Sequence, residues 1–254
     1  MTFQNDFQSA RSDLDQISRA IAATISPKMI PLASSKTRTA ALFAAGSYVM
    51  GIRKAPSVGC MPQILPPVID ALVDQDNRVR LAAVEALYNI ARVVREGLAP
   101  YSAKILEALL KATSDEDSEV DRAMAILHPL LQVTVNECKS VPPRTLVAPL
   151  LQGMRMPVSA AVLTSIQWIL TLESSPLVGR ELLWNHQELL SLLFYHTASS
   201  SKAISERATE ALDQLLERTV SELSITDSTS LESGPFPYQV DFFVFFGKSV
   251  YPTV

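Results

Sequence analysis

The strongest constraint on this chain is a helical register that returns about every 40 residues. Its clearest copy follows the turn Asp74-Gln75-Asp76-Asn77-Arg78. There Val79, Ala82, Ala83, Ala86, Leu87 and Ile90 fall on one stripe of an α-helix. Asp76 stands where its carboxylate caps the free amides of the first turn. Upstream, Ile64, Leu65, Val68, Ile69 and Leu72 form a second stripe, so the unit is a helical hairpin. Val120, Ala123, Met124, Leu127 and Leu131 repeat its second helix behind Asp117, preceded by Ile105, Leu106, Leu109 and Leu110. Val158, Ala161, Val162, Ser165, Ile166 and Ile169 repeat it again after Leu146, Val147, Leu150 and Leu151. Ile204, Ala208, Ala211, Leu212 and Leu215 follow Leu189, Leu190, Leu193 and Phe194. Backwards, Ala40, Ala41, Ala44, Ala45 and Tyr48 register on Thr37. The register residues Thr37, Val79, Val120, Val158 and Ile204 step by 42, 41, 38 and 46.

A two-helix unit of roughly 40–47 residues is the HEAT or armadillo class of repeat. Each hairpin has an apolar face that it cannot hide alone, so neighbours stack. The expected fold is therefore all-α, a HEAT/armadillo-like right-handed α-solenoid of about five helix pairs over residues 9–222. Ala82, Ala83, Ala86, Ala208 and Ala211 let second helices approach closely, where bulk would overpack the seam. Pro62, Pro66 and Pro67 are expected at the start of the second unit's first helix, Pro66 and Pro67 tilting or fraying its first turn, with Pro149 at the matching place in the fourth unit. The first helix of unit one is expected over Ala10 to Ile25. Periodicity ends near Leu223, and residues 223–254 read as a Ser-, Thr- and acid-rich linker followed by an aromatic tail, Val240 to Phe246. The tail reads as a strand-like cover over the end of the stack or as a loosely held segment; no partner strand offers itself, which favours the second.

Composition agrees. Only 8 of the 254 residues are Gly, which disfavours tight hairpins and starves any Gly-rich phosphate loop. A net charge of −4 argues against nucleic acid as a partner. Cys60 and Cys138 stand too far apart in sequence to suggest a metal motif or a disulfide framework, which suits a reducing cytosol. Asp6, Arg11, Asp13 and Asp15 occupy the place of a signal peptide's apolar run. The longest uncharged stretch, Met156 to Leu172, contains Pro157 and several hydroxyl residues and falls short of a membrane span. It reads as a helix buried on both sides within the stack.

No catalytic constellation emerges. His128, His186 and His196 form no i, i+4 pair and lie at no metal-type spacing from carboxylates. Gly46 and Gly51 have the spacing of a phosphate loop, but Ile52-Arg53 follows in place of Lys-Ser/Thr. The acidic run Asp115, Glu116, Asp117, Glu119 and Asp121 lacks the Gly and closing Glu of a calcium loop and reads as a helix-capping turn. Neither an enzyme, a metal site nor a cofactor is expected.

Second helices line the inner face of such a stack, the surface that binds partners. Counted from the register residue, outward positions are Arg80, Glu85, Tyr88, Asn89 and Arg92 in unit two, and Trp168 takes the Asn89 position in unit four. These are the candidate protein-binding residues. Trp168 reads either as an exposed anchor or as cover for the neighbouring helix. Arg80 reads either as part of the surface or as a structural rung reaching the turn Asp of the next unit, Asp117. The equivalent residue in unit three is Asp121, which would interrupt that ladder and change how units three and four meet.

The segments EALYNIARVVREGLAPY (Glu85 to Tyr101) and IQWILTLES (Ile166 to Ser174) resemble the HEAT-repeat vacuole-morphology scaffold family of the PIKfyve lipid-kinase complex. So do the Asp74–Arg80 turn and Lys36 to Lys54. The resemblance runs from about Ile17 to Val220, to the N-terminal part of the family. It implies a non-catalytic scaffold that binds a PIKfyve-type phosphatidylinositol 3-phosphate 5-kinase and supports phosphatidylinositol 3,5-bisphosphate synthesis. Its expected place is cytoplasmic, peripheral on endosomal or vacuolar membranes through the complex, because no basic amphipathic helix or lipidation motif appears. In that family self-assembly and phosphatase binding belong to the C-terminal part, so the resemblance does not carry either of them to this chain. Without the resemblance, the sequence supports a generic HEAT-repeat adaptor of another complex.

Overall fold

The computed structural model describes residues 2–52, 54–138, 141, 143–173 and 187–229. Ten α-helices are present among them and no strand. They are α1 (Thr2–Ile25), α2 (Ser35–Gly51), α3 (Lys54–Ala71), α4 (Asn77–Val94) and α5 (Ser102–Lys111). After these come α6 (Ser118–Glu137), α7 (Pro143–Met154), α8 (Ser159–Glu173), α9 (Gln187–Thr197) and α10 (Lys202–Thr229). The fold is the expected all-α stack of HEAT/armadillo-like hairpins. The chain divides into two units, Met1–Leu215 and Leu216–Val254. The second contains the end of α10, which runs to Thr229, past the Leu223 at which periodicity fades. The remainder of the linker and the whole aromatic tail, Val240 to Phe246, lie outside the described residues.

Within the first unit the helices form two ladders. The second helices pack in chain order, α2 on α4, α4 on α6 and α6 on α8. The first helices do likewise, α1 on α3, α3 on α5, α5 on α7 and α7 on α9. One apolar seam runs through both ladders from Ala22 to Leu215. Every residue of the α4 stripe, Val79, Ala82, Ala83, Ala86, Leu87 and Ile90, is buried in it. The uncharged segment becomes α8, with Ala161, Val162, Ile166, Ile169 and Leu172 all buried, and no helix among the described residues is long and apolar enough to cross a membrane.

Local signals set the helix starts. Ser34 Oγ accepts from Thr37 N (3.2 Å), Asp76 Oδ1 from Arg78 N (3.0 Å), and Asp117 Oδ1 from Glu119 N (2.8 Å) and Val120 N (3.3 Å). Each cap satisfies amides that would otherwise lack a partner. Close approach is built in at two glycines. A Cβ on Gly46 would lie 3.0 Å from the Cα of Ala86, bringing α2 against α4. A Cβ on Gly153 would overlap the Ser165 hydroxyl and lie 2.9 Å from Leu110 Cδ1, where α7 meets α8 and α5.

The proline expectation is corrected. Pro62, Pro66 and Pro67 lie inside α3, which begins at Lys54, and Pro149 lies inside α7. An internal proline removes one helical hydrogen bond. Here burial of Cys60, Met61, Ile64, Leu65, Val68 and Ile69 along the same helix offsets that loss.

An ion-pair ladder ties the turns together. Arg38 Nη2 meets Asp74 Oδ1 at 2.8 Å. Arg80 grips Asp115 with both Nε (2.5 Å) and Nη2 (2.7 Å), and its Nη1 donates to the carbonyl of Asp74 (2.9 Å). The Arg80 guanidinium holds the Asp115 carboxyl below the usual carboxylate range. The expected partner, Asp117, is occupied instead with the α6 cap and with Asn77 Nδ2 (2.5 Å). Asp115, two residues earlier on the turn, faces Arg80. Asp121 is exposed at the next rung, so no arginine extends the ladder there, and α6 touches α8 less extensively than α4 touches α6.

Candidate protein-binding face

Three second helices turn one continuous face to solvent. On α4 this face is the stripe Leu81, Glu85, Tyr88 and Arg92, with Glu85 and Arg92 exposed and the other two half-buried. The Arg92 guanidinium lies 5.7 Å from the centroid of the Tyr88 ring, a cation–π contact. Among the described residues neither Arg92 nor Glu85 has an ion-pair partner. Glu85 and Arg92 are the sixth and thirteenth residues after the register residue Val79. The same positions after Thr37 are Phe43 and Met50, 45 % and 51 % exposed, and after Val120 they are Ile126 and Val133, 62 % and 51 % exposed. Because α2 packs on α4 and α4 on α6, a charged and aromatic central helix is flanked by four exposed apolar side chains. On α8 the same positions are Thr164 and Thr171, so the apolar character stops there.

Three of the sequence candidates, Glu85, Tyr88 and Arg92, therefore share this face. The other three do not present themselves on it. Arg80 is a rung of the ladder. Asn89 is half-buried and turned toward α2, where a Cβ on Gly46 would lie 3.5 Å from its Nδ2. Trp168 is 1 % exposed, and its reading as an outward anchor is corrected to that of cover for the neighbouring helix. Its indole Nε1–H donates to His128 Nδ1 on α6 (3.2 Å), and the rings meet edge to face with centroids 6.4 Å apart. The reason is angular. At about 100° per residue, the tenth position lies about 40–60° around the helix from the sixth and thirteenth, which aims it at the preceding second helix. Phe43, Met50, Ile126 and Val133 are not among the sequence candidates: the register residues Thr37 and Val120 give their outward positions, and only the stacking of the hairpins makes them one surface.

His128, His196 and the acidic turn make structural contacts. Burial lowers the His128 pKa to about 4, so its ring is neutral and Nδ1 is free to accept from Trp168. A ring nitrogen of His196 hydrogen-bonds the carbonyl of Met154 (2.9 Å). The acidic turn supplies the α6 cap and the Arg80 partner, and no group of His, Cys, Asp or Glu among the described residues is arranged to hold a metal ion.

Comparison with known proteins bears on this stretch. Residues 36–133 match a family model described as the Vacuolar 14 Fab1-binding region. The chain is 30 % identical over 222 residues to a "Protein VAC14 homolog" of Arabidopsis thaliana, covering 87 % of this chain and 28 % of that protein. It is 31 % identical over 127 residues to "Vacuole morphology and inheritance protein 14" of Saccharomyces cerevisiae, covering 49 % of this chain and 14 % of that protein. The chain thus spans less than a third of the length of these relatives. A designed armadillo repeat protein aligns over 84 % of this chain and 94 % of its own, at 18 % identity and a TM-score of 0.45. The resemblance to the vacuole-morphology scaffold family read from the sequence is confirmed.

Proposed function

We propose that this chain is a non-catalytic scaffold that binds a Fab1-type, or PIKfyve-type, phosphatidylinositol 3-phosphate 5-kinase. In this role it supports phosphatidylinositol 3,5-bisphosphate synthesis at endolysosomal or vacuolar membranes. One coincidence carries the reading. The stretch that matches the Fab1-binding family model, residues 36–133, holds every residue of the exposed face from Phe43 to Val133. Exposed apolar side chains sharing one face mark a protein-binding surface, and Phe43, Met50, Tyr88 and Arg92 are of the residue types such surfaces favour. Membrane association in this reading is peripheral and passes through the kinase. The face carries one lysine or arginine per helix at most beyond those already paired, far from the basic cluster an anionic surface attracts.

Co-expression tests it. The full chain, tagged and co-expressed with a Fab1-type kinase, is expected to bring the kinase down in a stable complex, and cells carrying the pair are expected to hold more phosphatidylinositol 3,5-bisphosphate than cells with the kinase alone. Absence of the kinase from the purified material contradicts the proposal and returns the chain to the class of adaptors for other complexes.

A further inference from the structure

Resting on that reading, we infer that the part of the kinase seated here is a single amphipathic helix laid across α2, α4 and α6, with an acidic residue toward Arg92 and a basic residue toward Glu85. The dimensions and the charges both point to this occupant. Stacked helices lie about 8–10 Å apart, so three of them present a face about 16–20 Å wide. Along each helix, the two rows of side chains are seven residues apart, about 10.5 Å. One row is Met50, Arg92 and Val133; the other is Phe43, Glu85 and Ile126. An α-helix with its side chains is about 10–12 Å across, and about 11–13 residues cover the width of the face. It fits between the rows, resting on Tyr88.

The rows have the same order, apolar, charged, apolar. The occupant needs the same order on each flank, with apolar residues over α2 and α6 and a charge over α4. The charges are opposite, so the occupant carries an acid on one flank and a base on the other. Arg92 and Glu85 have no ion-pair partner among the described residues. A docked helix supplies both where the surrounding apolar contacts exclude water and strengthen the pairing. A helical face has no strand edge, so docking by strand addition is ruled out.

The test uses the full chain co-expressed with the Fab1-type kinase. Ile126→Glu and Arg92→Glu place acid in the two rows, and each is expected to cut kinase recovery by about tenfold or more. Val73→Glu, on an exposed apolar residue outside the rows, is expected to leave recovery unchanged. All three sites are exposed, and a thermal melt of each variant verifies that it is folded. Adding Glu85→Arg to Arg92→Glu restores one charge of each sign, and the helix is then seated in the reverse direction. The double variant is expected to recover part of what Arg92→Glu lost. Recovery of the row variants within about twofold of the unmodified chain, or equal loss in Val73→Glu, overturns the inference while leaving the kinase assignment standing. Row variants that convert a dimer of this chain to a monomer, with kinase recovery unchanged, assign the face to a second copy and also overturn it. Failure of the unmodified chain to recover the kinase removes the functional proposal and this inference together.

Discussion

Replacing Trp168 with Ala is expected to destabilise the protein by about 3–5 kcal/mol, the range for truncating a large buried aromatic. A chain of this size has a total stability of about 5–15 kcal/mol, so much of it would be lost. Trp168 ranks among the largest fully buried side chains, and it borders a small apolar cavity with Leu106, Leu131, Val135 and Cys138. Truncation would enlarge that space at the α6–α8 contact, where the helices already touch less extensively than elsewhere in the second-helix ladder. It would also leave His128 Nδ1 without its donor. Urea unfolding of the purified variant measures the effect. A loss below about 1 kcal/mol would show that Trp168 is not the packing element described here. Any accompanying loss of partner binding would reflect unfolding, in contrast to Arg92→Glu, which leaves the core intact.

The second large effect is one of pH. Burial lowers the His128 pKa from 6.5 to about 4 in the folded chain. The sign follows from proton counting. Between pH 6.5 and about 4 the unfolded chain binds a proton at this ring that the folded chain does not, so stability falls as the pH falls. The stabilisation is complete above pH 6.5 and is lost progressively down to about 4, for a total of about 2–3 kcal/mol. Protonating Nδ1 also removes the acceptor that Trp168 uses, which acts in the same direction. The depressed carboxyls of Asp76, Asp115 and Asp117 lose their contribution from about pH 5 downward. They are common to the parent and a His128 variant, so the difference between the two proteins isolates the histidine. His128→Gln keeps an acceptor for the indole and removes the titration. Unfolding free energies at pH 7 and pH 4.5 are expected to differ by about 2 kcal/mol less in His128→Gln than in the parent chain. Equal differences in the two proteins would contradict the burial of this ring.

These two side chains also show where the sequence stops being legible. A repeated stripe has a single way to be hidden in a stack, so the register finds the buried residues of α4, α6 and α8; Val158, just before α8, is 39 % exposed and Ala123 half-buried. The caps at Asp76 and Asp117 were legible because they depend on local spacing alone. Trp168 was ambiguous because its position lies at the margin of the exposed stripe. There, a few tens of degrees and the identity of the facing residue, His128, decide whether a side chain meets water or the preceding helix. Of the two readings of Arg80, the structural rung holds but with Asp115 in place of Asp117: the repeat aligns the turns, yet the α6 cap claims the Asp117 carboxylate. The prolines of α3 were read as boundary markers. Local propensity was overridden by the burial of both neighbouring faces, a contribution that depends on contacts distant in sequence. Phe43, Met50, Ile126 and Val133 form a surface only because three hairpins set them side by side, and no single helix shows this.

In the proposed complex, the face shared by α2, α4 and α6 is the one that meets the kinase. Hydroxyl-radical footprinting of the full chain, alone and in complex with the Fab1-type kinase, reads it side chain by side chain. Phe43, Met50 and Tyr88 are reactive reporters on the face, while Phe194 and Tyr195, 51 % and 72 % exposed on α9, report from elsewhere in the stack. Strong protection of Phe43, Met50 and Tyr88 is expected in the complex, with Phe194 and Tyr195 unchanged. Protection of Phe194 and Tyr195, with Phe43, Met50 and Tyr88 as reactive as in the free chain, would contradict it.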